Sequence, residues 1–135
     1  MPKLLRICVA TLVVAFTIGT FAVANNNNVQ DEKAKPKHTV KQVMAKTMAP
    51  RGDKLNKKVL SGQASDKEKM ELLDMFISLA ENDAPHGDKE SWQSFSNAAV
   101  MAAARVAVGR EGAVAELKAA TNCKKCHDAH KPPKN

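Results

Sequence analysis

From His38 onward the apolar residues recur at intervals of three and four, the spacing that keeps one face of an α-helix dry. Val40, Met44 and Met48 step by four, with Val43 beside them. Pro50 and Gly52 end this first segment, because a residue preceding proline is pushed out of the α region. Asp53 stands where it caps a resumed turn through Leu55, Val59 and Leu60, closed by Gly62. Ser65-Asp66-Lys67-Glu68 has the form of a capping box, in which the serine and glutamate side chains satisfy each other's backbone N–H groups. It opens a second helix with Met70, Leu73, Ile77 and Ala80 on one face, widened by Leu72, Phe76 and Leu79. The stretch from Asn82 to Gly87 contains Pro85 and Gly87 and reads as a turn. Asp88 caps the third helix, along which Trp92, Phe95, Ala99, Ala102 and Val106 step three, four, three and four before Gly109 ends it. A fourth runs from about Glu111 toward His130, with Ala113, Leu117, Ala120, Cys123 and His127 on one stripe, and Pro132-Pro133 prevents its extension. No stretch alternates with period two between turn signals. The pattern predicts an all-α chain, an antiparallel four-helix bundle over residues 38–132 with short connections.

The preceding residues follow a different logic. Lys3 and Arg6 make a positive start, Ile7 to Val23 carries no charge, and Ala22-Val23-Ala24 is an A-x-A cleavage site before Asn25. Residues 1–24 therefore read as a cleaved signal peptide, with a retained anchor as the alternative, since the apolar run is near the lower length for a bilayer span. Residues 25–37 hold four consecutive Asn, mixed charges and Pro36, and only Val29 as a large apolar residue; this is the composition of a flexible leader. The expected location is the periplasm, with no membrane attachment after cleavage.

Removing the signal changes the arithmetic of the rest. Lys3 and Arg6 leave with it, so the formal charge of the 135-residue chain falls from +7 to +5, and Cys123 and Cys126 are the cysteines that remain. The remaining aromatics are Phe76, Trp92 and Phe95, too few rings for a well-filled core of this length, and a bound cofactor would fill that gap. The positive excess is mild and evenly spread, and no aromatics interleave with the lysines, which sets nucleic acid aside.

Cys123-Lys124-Lys125-Cys126-His127 is a C-x-x-C-H sequence, the attachment motif for haem c. On a helix, positions i, i+3 and i+4 share a face. Two thiols so placed can each add across one haem vinyl group as thioethers, and the imidazole of His127 then faces the iron as proximal ligand. The export signal agrees, because this covalent attachment takes place outside the cytoplasm. Ala113, Ala119 and Ala120 keep the helix thin enough for a flat macrocycle to lie against it. Three other readings fit the segment less well. A thioredoxin-type redox pair requires a βαβ context, absent from the pattern. A zinc site from Cys123, Cys126, His127 and His130 has suitable ligand types, but adjacent Cys126 and His127 suit one tetrahedral ion poorly. A disulfide between the two cysteines would close a very small loop and stabilise little.

The iron's sixth position has several candidates. Met44 is best placed, well inside the first helix and on its apolar stripe; Met48 lies near the chain break, and His38 at the helix start. Any of these methionines is equally an ordinary flexible core filler. His130, or no side chain at all, completes the set. A thioether opposite histidine favours ferrous iron and fills both axial positions, suiting outer-sphere electron transfer, whereas an empty position suits a diatomic gas.

With its C-x-x-C-H near the C-terminus, on the last of four expected helices, the chain resembles the class II cytochromes c, which include cytochrome c-prime and the low-spin cytochrome c556 type. The resemblance covers about Val40 to Pro132 and implies a periplasmic four-helix haem protein. Val40-Lys41-Gln42-Val43-Met44 is similar to the first-helix segment in which the c556 type carries its axial methionine, while the Arg that usually precedes the distal site of cytochrome c-prime has no counterpart here. Dimers are common in that family, so a homodimer is among the expected states. The expected function is electron carriage between redox partner proteins, with one haem ligated by His127 and Met44. The alternative is a five-coordinate haem that binds NO or CO. No acid/base pair or nucleophile constellation suggests an enzyme.

Trp92 and Phe95 share a helical face and suit packing on the haem edge as well as they suit ordinary core packing. His130 is expected to be solvated, to cap the last carbonyls or to meet a propionate, and His86 to lie on the surface of its turn. Arg51-Gly52-Asp53 reads as a turn followed by a cap. Lys124, Lys125, Lys131 and Lys134 surround the motif and would steer an acidic partner, although cations gather at helix C-termini in any case.

Overall fold

The computed structural model describes residues 35–133; the expected signal segment and residues 25–34 of the leader lie outside them. All regular structure within that range is helical. Helix α1 (Val40–Val43) continues directly into a π-helical turn, Met44–Met48; α2 spans Leu55–Leu60, α3 Asp66–Glu81, α4 Lys89–Ala107, α5 Ala113–Ala120 and α6 Cys123–His130. Among the described residues no helix is long and apolar enough to cross a membrane.

Local chemistry sets most of the boundaries. Thr39 opens α1 with a capping box completed by Gln42. The box at Ser65 and Glu68 forms as expected, and Asp88 caps α4 by accepting from the backbone N–H of Ser91. Asp53 does not cap α2: the N-cap is Lys54, which makes no side-chain capping bond, because the backbone folds back from Lys54 N–H to the Gly52 carbonyl at 3.0 Å.

The helices pack α3 on α4 and α4 on α5, with α1 and α2 against α3, α2 against α5, and α6 against α4. The interior holds Leu72, Met75, Phe76 and Leu79 of α3, and Trp92, Ala99, Ala102, Ala103 and Val106 of α4. Ala113 and Leu117 of α5, Val43, Leu55 and Val59 complete it. Fully burying a side chain such as Leu72 or Phe76 contributes roughly 1.5–3 kcal/mol. The buried apolar residues of α4 and α5 are largely alanines: Ala99, Ala102, Ala103 and Ala113, with Trp92, Val106 and Leu117 as the large ones. On α3 the buried face differs from the expected one. Met70 and Ile77 are 56% and 40% exposed, and the core takes the neighbouring stripe of Leu72, Met75, Phe76 and Leu79. An apolar band this wide lets packing choose its centre, and the phenylalanine sits where the partner helix is.

Two further expectations are corrected. The single fourth helix is two, because Thr121 ends α5 and Asn122, with extended backbone, caps α6 by accepting from the N–H of Lys125 at 3.1 Å. The first helix is not a plain α-helix. Its π turn, Met44–Met48, is closed by backbone bonds five residues apart. Val43 and Thr47 are fully buried, Thr47 donating its hydroxyl to the Val43 carbonyl at 2.7 Å, while Met44 and Met48 are half-buried on the flank.

The α2–α3 junction carries an acid-sensitive contact. Lys58 donates to Glu68 at 2.8 Å, and with the bonds from Ser65 this holds the Glu68 carboxyl down at about 2, against an ordinary 4.5. A depressed carboxylate stabilises the fold above its unfolded pKa, and that contribution disappears as pH falls from about 4.5 to about 2. Glu68→Gln is therefore expected to make acid unfolding shallower across that window. An unchanged acid limb would show that the pair adds nothing to stability.

Candidate haem cleft

Asn122 determines where the C-x-x-C-H segment begins. As N-cap it makes Cys123 the first residue of α6, so that Cys123, Cys126 and His127 share one side of a fresh helix. All three line a single cleft, whose other walls are Met44 and Met48 of the π turn, Leu79 of α3, Trp92, Phe95, Ser96 and Ala99 of α4, and residues 120–122. Its enclosed cavity is about 60 Å³, well below the roughly 300–1,000 Å³ usual for organic ligands, so a large flat group would have to part these walls as it enters.

The walls are apolar and internally satisfied. Trp92, 2% exposed, donates its indole N–H to the Asn82 carbonyl at 3.0 Å, and buried Ser96 donates to the Trp92 carbonyl at 2.9 Å. Phe95 is half-buried. Of the three alanines expected to keep the last helix thin, only Ala120 faces the cleft: Ala113 is core and Ala119 is exposed. Cys123 and His127 are exposed and Cys126 is half-buried. Both thiols are free, and burial, with Cys123 nearby, pushes the Cys126 thiol up and keeps it protonated.

The two methionines are not equivalent. Asn56, 8% exposed, donates its amide N–H to the Met48 sulfur at 3.4 Å and to the Thr121 hydroxyl at 3.2 Å, and its Oδ1 is buried without a partner. The Met44 sulfur accepts no hydrogen bond among the described residues. Met44 also reaches a second groove beside the first, shared with Trp92, Cys126 and His127 and bordered by Val40, Pro85 and His130. Asn56 and Thr121 were missed from sequence. An Asn in the first turn of a lysine-rich helix resembles a solvated position, and only the fold brings residue 121 to it.

The histidines have different surroundings. His38 lines a separate groove with Gln42, Lys46 and Met75, its Nε2 3.8 Å from Asp74, and does not reach the cysteine cleft. His86 is exposed, as expected. His130 is not solvated: it is 2% exposed, with Nδ1 2.8 Å from the His86 carbonyl and Nε2 3.1 Å from the Ser91 hydroxyl. Both nitrogens are thus committed, which removes His130 from the zinc set and from the iron's candidates. Among the described residues no three His, Cys, Asp or Glu side chains form a group able to hold a metal ion.

No family model, curated protein or solved structure matches this chain.

Of the lysines near the motif, Lys124 pairs with Asp128 at 2.6 Å, Lys125 is exposed, Lys131 borders the second groove with Lys41, and Lys134 lies outside the described residues.

Proposed function

We propose that the chain is an exported, periplasmic c-type cytochrome of the class II kind, an antiparallel four-helix bundle that carries electrons through one covalently held haem. The observation that carries this reading is the meeting of Cys123, Cys126 and His127 with Met44 in one apolar cleft. The donor set suits the group: two thiols for covalent attachment, an imidazole, and soft thioethers across the cleft. The walls suit it as well. Trp92, Phe95 and Leu79 offer apolar area for a macrocycle, and the small side chains of Ala99 and Ala120 lie beside them.

When bound, haem supplies a one-electron Fe(III)/Fe(II) couple. Cys123 and Cys126 would hold it as thioethers, with His127 as one iron ligand. Met44 would be the other; its sulfur accepts no hydrogen bond among the described residues, whereas that of Met48 accepts one from Asn56. Trp92, Phe95 and Leu79 would shield the group from water, which would support a raised potential.

Pyridine haemochrome absorbance of the exported protein is the test. Haem c at one equivalent per chain, lost together with covalent attachment in Cys123→Ser/Cys126→Ser, is the expected result. A wild-type chain that carries no haem when produced with the attachment apparatus would sink the reading.

A further inference from the structure

Helix α6 has very little to hold it. Its eight residues bury one side chain, His130, and the motif residues before it are exposed or half-buried. A helix of two turns is marginal alone in water, so its orientation must come from what it docks on. Four contacts meet at His130. Its Nδ1 lies 2.8 Å from the His86 carbonyl, which can only accept, so Nδ1 carries a proton, and Nε2 pairs with the Ser91 hydroxyl at 3.1 Å. Its ring stands edge-on to Trp92 and Phe95, with centroids 5.4 and 5.7 Å away and both planes at 74°. These two rings are also walls of the cleft.

An independent feature points to the same docking. Gly87, at φ +78°, lies so close to the end of α6 that a Cβ there would stand 2.4 Å from the Ala129 carbonyl oxygen and 3.2 Å from His130 Nδ1. Only glycine permits both that backbone conformation and that approach. The turn before α4 is thus closed over the C-terminal end of α6.

We propose that His130 is the positioning residue of the haem site: by fastening α6 to the turn at His86–Gly87 and to Ser91, Trp92 and Phe95, it sets the direction in which His127, one turn earlier, faces the cleft. The inference rests on the haem reading for its spectroscopic consequence, but the docking itself does not.

The test compares full-length, haem-loaded wild type with His130→Ala, His130→Asn and Gly87→Ala, using Leu72→Ala as a control that loosens the core away from α6. Asparagine can restore the donor at the Nδ1 position. Electron paramagnetic resonance of the ferric protein reads the axial ligands, and amide hydrogen exchange reads local opening. His130→Ala and Gly87→Ala are expected to split or broaden the low-spin signal and to speed exchange in residues 123–130 by on the order of tenfold to a hundredfold. His130→Asn should recover much of both, and Leu72→Ala should leave the signal single. A single unchanged signal in His130→Ala with only a lower melting temperature, or the same splitting in Leu72→Ala, overturns the proposal. If no chain carries haem, the haem reading fails, and exchange alone decides the docking. Acceleration confined to residues 123–130 retains it, and uniform or absent acceleration removes it.

Discussion

Replacing Met44 by alanine is expected to abolish the near-infrared charge-transfer band of methionine–iron ligation and to lower the reduction potential by on the order of 100 mV. The expectation follows from the asymmetry of the two methionines in the cleft. The sulfur of Met48 is held by the Asn56 amide at 3.4 Å, while that of Met44 has no such donor. Removing a thioether from the sixth position removes its preference for ferrous iron, which is why the potential falls. Met48→Leu is the comparison, and it should keep the band. Absorption spectra and redox titration of the two variants separate the outcomes. A band lost in Met48→Leu and kept in Met44→Ala would transfer the ligand role to Met48. A high-spin wild type that shifts with carbon monoxide on reduction, unaffected by either change, would replace electron transfer with gas binding.

Trp92→Ala should produce the largest loss of stability of any single cleft substitution, roughly 3–5 kcal/mol for deleting so large a buried ring. Trp92 is 2% exposed, lines the cleft, packs edge-on against His130 and donates to the Asn82 carbonyl. Its removal leaves that acceptor unpaired and withdraws support from α6 at the same time. Against a total of about 5–15 kcal/mol for an ordinary domain, this is enough to unfold a marginal protein. Trp92→Phe keeps most of the ring and loses the hydrogen bond, so its cost should be nearer ~1–2 kcal/mol. Denaturant unfolding of both variants checks the order. A loss below about 1 kcal/mol in Trp92→Ala would mean that the ring fills the cleft without anchoring it.

What could be read from the chain divides along the range of the interactions. The two long helices, the capping box at Ser65, the cap at Asp88 and the stripe of Trp92, Phe95, Ala99, Ala102 and Val106 were all legible, because each depends on residues within a turn or two. The shared placement of the thiols and imidazole of Cys123, Cys126 and His127 was legible for the same reason: helical spacing alone puts them on one side, and they do line one cleft. The split at Thr121–Asn122 was available as well, since asparagine before a helical run is a strong N-cap, but the continuous apolar stripe concealed it.

The errors lie where distant segments compete for the same space. Helix α3 offered two overlapping apolar stripes, and the choice of Leu72, Met75, Phe76 and Leu79 over Met70 and Ile77 belongs to the partner helices. His130 read as a terminal, solvated residue because its partners at His86, Ser91, Trp92 and Phe95 are some 35 to 44 positions away in sequence. The unequal environments of Met44 and Met48 likewise depend on Asn56, which no periodicity marks as buried.

By itself, then, the sequence determined the helical class, the helix starts with local caps, and the identity of the chemical groups at Cys123, Cys126 and His127, all of which follow from short-range backbone geometry and side-chain type. The tertiary structure alone decided which methionine sulfur is left without a donor, which face of α3 is dry, and that a histidine near the end of the last helix is buried and doubly bonded. Those outcomes depend on desolvation and on hydrogen-bond partners that exist only once remote helices pack, and a buried polar group is tolerated only where such partners arrive.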